Sequence, residues 1–134
     1  MIRLVRFGIG GLIGFLVDSG LLHALMALGP GPYLARVPSF LGAATATWLV
    51  NRYWTFADRR SAARAGEWTR YVAAMIAGGL LNYGVYALLL AHSASVRAWP
   101  VLGVAAGSVA GMGLNFLSSW FLVFRDGNPA VKPR

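Results

Sequence analysis

The stretch VNRYWTFADRR, Val50 to Arg60, closes an apolar run that begins near Val37. Its outer part reads as the end of a membrane helix. Trp and Tyr sit at headgroup level, and cations gather beyond them on the cytoplasmic side. Trp54, Phe56, Asp58, Arg59 and Arg60 supply that ending in full. Asn51 and Arg52 lie deeper than anchoring requires. The stretch therefore holds an anchor and, inside it, two polar groups that need another explanation.

Composition supports a bilayer setting. The chain has 134 residues, enough for one domain (residues 1–134). It is 57% hydrophobic and 12% charged, against roughly 25% charged residues in a soluble domain. Mean hydropathy is +0.61. The net charge of +8 would suit nucleic acid, but no basic stripe lies on a soluble element. Positive loops on one side of a membrane account for it better. With no cysteine, disulfides, thiol catalysis and Cys-ligated metals are excluded.

Four apolar segments follow, at about residues 7–28, 37–57, 71–92 and 100–124. Each approaches the ~20 residues that cross a ~30 Å hydrocarbon core as a helix. Gly29-Pro30-Gly31-Pro32 breaks the chain after the first, and Pro38 and Pro100 stand near expected helix starts. The first segment is too long for a signal peptide and carries Asp18 at its middle. Ten of the twelve cations fall at the N-terminus, around the middle loop 58–70 or in the C-terminal tail, with only Arg36 and Arg97 elsewhere. The bias predicts both termini inside, with Tyr33 and Trp99 at the outer interface and Tyr53, Trp54, Trp68 and Tyr71 at the inner one. The middle loop, where a short interfacial helix would put Arg60 and Arg64 on one face, reads as solvated and headgroup-facing or as a dedicated phosphate-binding element. The expected fold class is all-α: a multi-pass protein with four transmembrane helices.

A shift of 64 residues superposes the halves: Arg6 on Arg70, Gly14 on Gly78, Asp18 on Asn82 and Asn51 on Asn115. Two helical hairpins of equal orientation would form a parallel repeat, a device common in transporters. Asp18 costs roughly 2.5–3.5 kcal/mol at a helix centre, so it should face a partner, the bundle interior or a water-filled cavity. Asn51, Asn82 and Asn115 read either as interhelical hydrogen-bond glue, worth about 0.6 kcal/mol each, or as site residues. Arg52 can snorkel to the headgroups or neutralise a buried anion. Gly10 and Gly14, and Gly103, Gly107 and Gly111, form small-residue faces for close helix packing. His23 and His92 have no metal-ligand spacing, and no catalytic constellation is evident among the four acids. Asp58, Glu67 and Asp126 read as partners of neighbouring cations. No catalytic residue, metal or cofactor is expected, and the chain is not expected to be an enzyme.

Arg6-Phe7, Asp18 and above all Asn51-Arg52-Tyr53-Trp54-Thr55-Phe56 resemble the GtrA-like family of small four-helix bacterial membrane proteins. The resemblance extends from about Arg6 to Arg125, with a weaker second closing motif in Asn115-Phe116 and Val123-Phe124-Arg125. Trp120 and Leu122 depart from the family pattern there. Alignment by Phe56 and Phe124 also moves the offset from 64 to 68. The resemblance implies translocation of a polyprenyl-phosphate-linked sugar across the bacterial cytoplasmic membrane, for surface polysaccharide synthesis by a membrane glycosyltransferase. It further implies that Arg6, Arg52 and Arg70 hold the phosphate while Asp18, Asn51, Asn82 and Asn115 bind the sugar. Four short helices enclose little volume, so a homodimer is expected. Two other readings remain: a proton-coupled exporter resembling the small multidrug resistance family, and a glycosyltransferase anchor that moves nothing.

Overall fold

The computed structural model describes residues 1–30 and 32–125, and among them every regular element is helical. α1 spans Ile2–Ala27 and stops where Gly29 takes φ +104°, a left-handed conformation that glycine adopts without strain. α2 covers Pro32–Val50. It starts earlier than expected, so Pro38 lies inside it rather than at its start. α3 spans Arg64–His92, and the expected loop residues 64–70 are its first turns. A five-residue helix not foreseen from the sequence, α4 (Ala94–Ala98), precedes α5, Pro100–Ser118. Asp126, Lys132 and Arg134, assigned above to charge pairing or inner-face charge, lie outside the described residues, as do the side chains of Tyr33 and Arg36.

α1, α3 and the Leu102–Val123 stretch of α5 and its extension are long and apolar enough to cross a membrane. Four spans were expected; α2 falls short because Arg36, Pro38, Ser39, Thr45 and Thr47 dilute its hydropathy. The apolar side chains point outward. Leu12, Phe15 and Leu16 on α1, Leu80 and Leu88 on α3, and Val109 and Leu117 on α5 are all exposed. Exposed apolar surface on this scale needs an apolar surround.

α1 packs antiparallel on α2, and α3 on α5. Small residues set both approaches. A Cβ at Gly14 would collide with the Thr47 side chain, and one at Gly78 with Asn115. Gly107 lies against Asn82, and a Cβ at Gly111 would stand 2.7 Å from the Gly78 carbonyl. Each hairpin then ends in one wide π-turn. Phe56 N–H donates to the Asn51 carbonyl (2.7 Å) and Phe124 N–H to that of Ser119 (2.9 Å). Phe56 and Phe124 stack on each other, centroids 4.7 Å apart and planes 17° from parallel.

The contacts around that stack repeat. Phe7 meets Phe56 edge-on at 6.3 Å, and Tyr71 meets Phe124 at 6.3 Å. First helices correspond at an offset of 64, but the π-turns and the helices leading into them correspond at 68. The four additional residues fall in the connection that contains α4. This register pairs Asn51 with Ser119 and Thr47 with Asn115, instead of Asn51 with Asn115. The two hairpins meet in a buried cluster of Phe7, Trp48, Phe56, Tyr71, Ala74, Val123 and Phe124. Tyr71, expected at the interface, is fully buried there.

The glycine contacts yield a paired prediction. Gly111→Ala should destabilise the protein by about 1–3 kcal/mol through overpacking, because backbone on α3 blocks the new methyl. Gly113→Ala meets nothing within 4 Å and should leave stability unchanged or raised. Thermal unfolding in detergent, measured side by side, checks the pair.

Candidate functional site

Below the cluster the hairpins diverge and leave a cavity of about 470 Å³. All four long helices line it. α1 contributes Gly11, Gly14 and Asp18; α2 Ala43, Ala44 and Thr47; α3 Gly78, Gly79 and Asn82; α5 Ser108, Gly111 and Asn115. Alanines and glycines keep the walls thin, so the space survives between closely spaced helices. Phe7, Tyr71 and Met75 also line it.

The polar lining consists largely of equivalent pairs. Asp18 corresponds to Asn82 and Thr47 to Asn115, and all four face the same cavity. Thr47 was not singled out from the sequence, because the 64-residue offset matched Asn115 with Asn51. The 68-residue offset that Phe56 and Phe124 give holds through both π-turns and the helices before them and corrects that match. Thr47 Oγ1 donates to the Ala43 carbonyl at 2.7 Å, which keeps the hydroxyl satisfied within its own helix. Asn115 Oδ1 is buried and has no hydrogen-bond partner among the described residues. A buried amide oxygen in that state retains an unused acceptor.

Asn51 stands one residue away from the cavity. It is fully buried, donates from Nδ2 to the Tyr71 hydroxyl at 2.8 Å and accepts from Thr55 Oγ1 at 2.8 Å. It thereby orients a ring that does line the cavity. The equivalent of Tyr71 is Phe7, which has no hydroxyl, and Ser119 Oγ in the place of Asn51 has no partner among the described residues.

The three arginines are elsewhere. Arg52 is 4% exposed and Glu67 0%; Arg52 Nη1 donates to Glu67 Oε1 at 2.6 Å and Nη2 to the Ser61 carbonyl at 2.9 Å. Glu67 also accepts from Trp48 Nε1 at 3.0 Å and from the Ser61 amide. One buried carboxylate thus ties α2, the connecting loop and α3 together. The equivalents of Glu67 and Arg52 are Arg3 and Trp120, and they too touch: the Arg3 guanidinium lies 4.8 Å from the Trp120 ring centroid. Arg6 donates to the Trp54 carbonyl at 3.4 Å and lies 5.5 Å from its ring centroid. Arg70 is exposed on α3 and lines a separate groove. The structure therefore gathers Asp18, Asn82 and Asn115 at one cavity, sets Asn51 behind it, and keeps Arg6, Arg52 and Arg70 out of its lining. Among the described residues no group of three His, Asp or Glu is placed to hold a metal.

A family model described as the GtrA/DPMS transmembrane domain matches residues 6–129. A dolichol-phosphate mannosyltransferase from Pyrococcus furiosus is 32% identical over 88 residues, which cover 66% of this chain and 25% of that protein. The match spans about a quarter of its length.

Removing one partner of a buried ion pair costs about 3–5 kcal/mol, whereas replacing both by apolar residues is often neutral. Glu67→Ala should accordingly show a loss of that size in denaturant unfolding, and Arg52→Met/Glu67→Met should recover part of it. Equal losses in the two variants would mean that the pair is not coupled.

Proposed function

The chain belongs to the GtrA/DPMS transmembrane-domain family, and from that premise we propose that it moves a polyprenyl-phosphate-linked monosaccharide across a bacterial cytoplasmic membrane without transforming it. The observation that carries the reading is the cavity between the hairpins, where Asp18, Asn82, Thr47 and Asn115 line a largely apolar wall together with Ser108 and Tyr71. A sugar has hydroxyls that donate to Asp18 and to amide oxygens and accept from amide N–H groups. Its polyprenyl tail is at home in lipid, and a laterally divergent pair of hairpins lets the tail stay there. Phosphate remains at headgroup depth, where Arg6 adjoins the cavity-lining Phe7 and Gly8.

Four crossings belong to this proposal. α2 lies antiparallel against α1, and its 19 residues give about 28 Å at 1.5 Å per residue, to which the π-turn adds. With the cationic ends inside, N-terminus and C-terminus both face the cytoplasm. The hairpins then form a parallel repeat about an axis along the membrane normal. The homodimer and the partner glycosyltransferase, which uses the sugar on the far side, are parts of the same proposal.

A second reading is favoured by the similarity to a mannosyltransferase: a membrane module that docks a glycosyltransferase and moves nothing. Reconstituted liposomes separate the two. Under the transport reading, purified protein accelerates exposure of a labelled polyprenyl-phosphate sugar on the opposite leaflet. Asp18→Ala slows it by about tenfold or more, since a lost hydrogen bond to a charged group is worth about 1.5–3 kcal/mol and 1.4 kcal/mol is tenfold, and Asn115→Ala slows it by about two- to tenfold, since a neutral hydrogen bond is worth about 0.5–1.5 kcal/mol. No acceleration by the folded wild type, together with co-purification of a glycosyltransferase, would leave the docking reading.

A further inference from the structure

On the other side of the α3–α5 hairpin lies a second hollow of about 490 Å³ that shares no lining residue with the central cavity. Its floor is Ala73, Ala74 and Ala77 of α3 with Ser118 and Leu122. Arg70 and Arg125 both line it, where α3 packs on the π-turn after α5.

The first hairpin carries larger side chains at most of the equivalent positions. At the 64-residue offset Ala73 and Ala77 correspond to Ile9 and Ile13; at 68, Ser118, Leu122 and Arg125 correspond to Val50, Trp54 and Ala57. Arg70 corresponds to Arg6, whose guanidinium lies over the Trp54 ring and donates to its carbonyl. The second half thus replaces two isoleucines, a valine and a tryptophan by smaller residues and adds a second arginine. Four of these changes remove side-chain volume and one, Ala74 in place of Gly10, adds a single methyl, while the added charge is positive. Shape and charge together fit a chain-bearing anion: a phosphate at the arginine pair, where arginine binds it well, and a hydrocarbon chain along the alanines.

We propose that this groove holds one anionic glycerophospholipid of the surrounding membrane as a resident ligand. The hairpin separates the groove from the central cavity, so the occupant is not the molecule that reaches Asp18. That separation favours a membrane phospholipid over a polyprenyl phosphate.

Native mass spectrometry of the protein in detergent, titrated with phosphatidylglycerol, phosphatidylethanolamine or a polyprenyl phosphate, tests this without any transport readout. The wild type should retain one phosphatidylglycerol with at least about tenfold preference over phosphatidylethanolamine, as two interfacial cations allow. Arg70→Ala/Arg125→Ala should abolish the preference. Ala73→Ile/Ala77→Ile/Leu122→Trp, which rebuilds the filled pattern and keeps both arginines, should abolish retention, and Leu122→Trp alone should weaken it. Undiminished retention by the filled variants would overturn the groove as the site, and tighter retention of the polyprenyl phosphate would overturn the assignment of its occupant. Loss of phosphatidylglycerol binding leaves the transport proposal standing, and failure of transport leaves this one.

Discussion

The stack of Phe56 on Phe124 is the contact on which the rest of the structure depends. Each ring is delivered by a π-turn that ends its hairpin, and each is fully buried. Without a junction at one end, two antiparallel hairpins in lipid would have little reason to stay together, since tails solvate their apolar faces as well as each other. Joined there and lined by small residues elsewhere, they enclose a space. The same junction explains why the cavity begins where it does, at Phe7 and Tyr71.

The junction is also where the halves differ most. Glu67 with Arg52 and Arg3 with Trp120 occupy equivalent places, one a buried ion pair and the other a half-buried cation that lies on an aromatic face and pairs with the exposed Asp58 at 2.8 Å. A buried pair costs desolvation and contributes order more than net stability. Here it fixes Trp48, Ser61 and the start of α3 around one carboxylate. Asn51 and Ser119 differ in the same way: one holds a tyrosine, the other has no side-chain partner among the described residues. The protein keeps a near-symmetric frame and varies what the frame carries, polar groups facing inward and an alanine-floored groove facing outward on one half.

Much was legible in the residues. An Asp in mid-helix carries its own energetic argument, and Asp18 lines the cavity, as do Asn82 and Asn115. Arg52 shows the limit of such reasoning. Its depth in an apolar run marked it as a group needing a partner, but the pattern could not say whether the partner was a ligand or a carboxylate fifteen positions later. Glu67 looked like one more charge among loop cations, and only the fold shows it with 0% exposure. Thr47 gave no signal, because threonine is common in membrane helices and the apparent offset pointed to another residue.

By itself, the sequence determined the class of surroundings, the helical character, the apolar stretches and the depth of the polar groups. These follow from transfer free energies and from local backbone preference, both of which are properties of short segments. Tertiary structure alone decided how far each of the two offsets, 64 and 68, extends along the halves, the burial of the Arg52–Glu67 pair, and the convergence of four polar side chains on one cavity. Those depend on distances between residues far apart in the chain, set here by two π-turns and by four additional residues in one connection, neither of which has a local compositional signature.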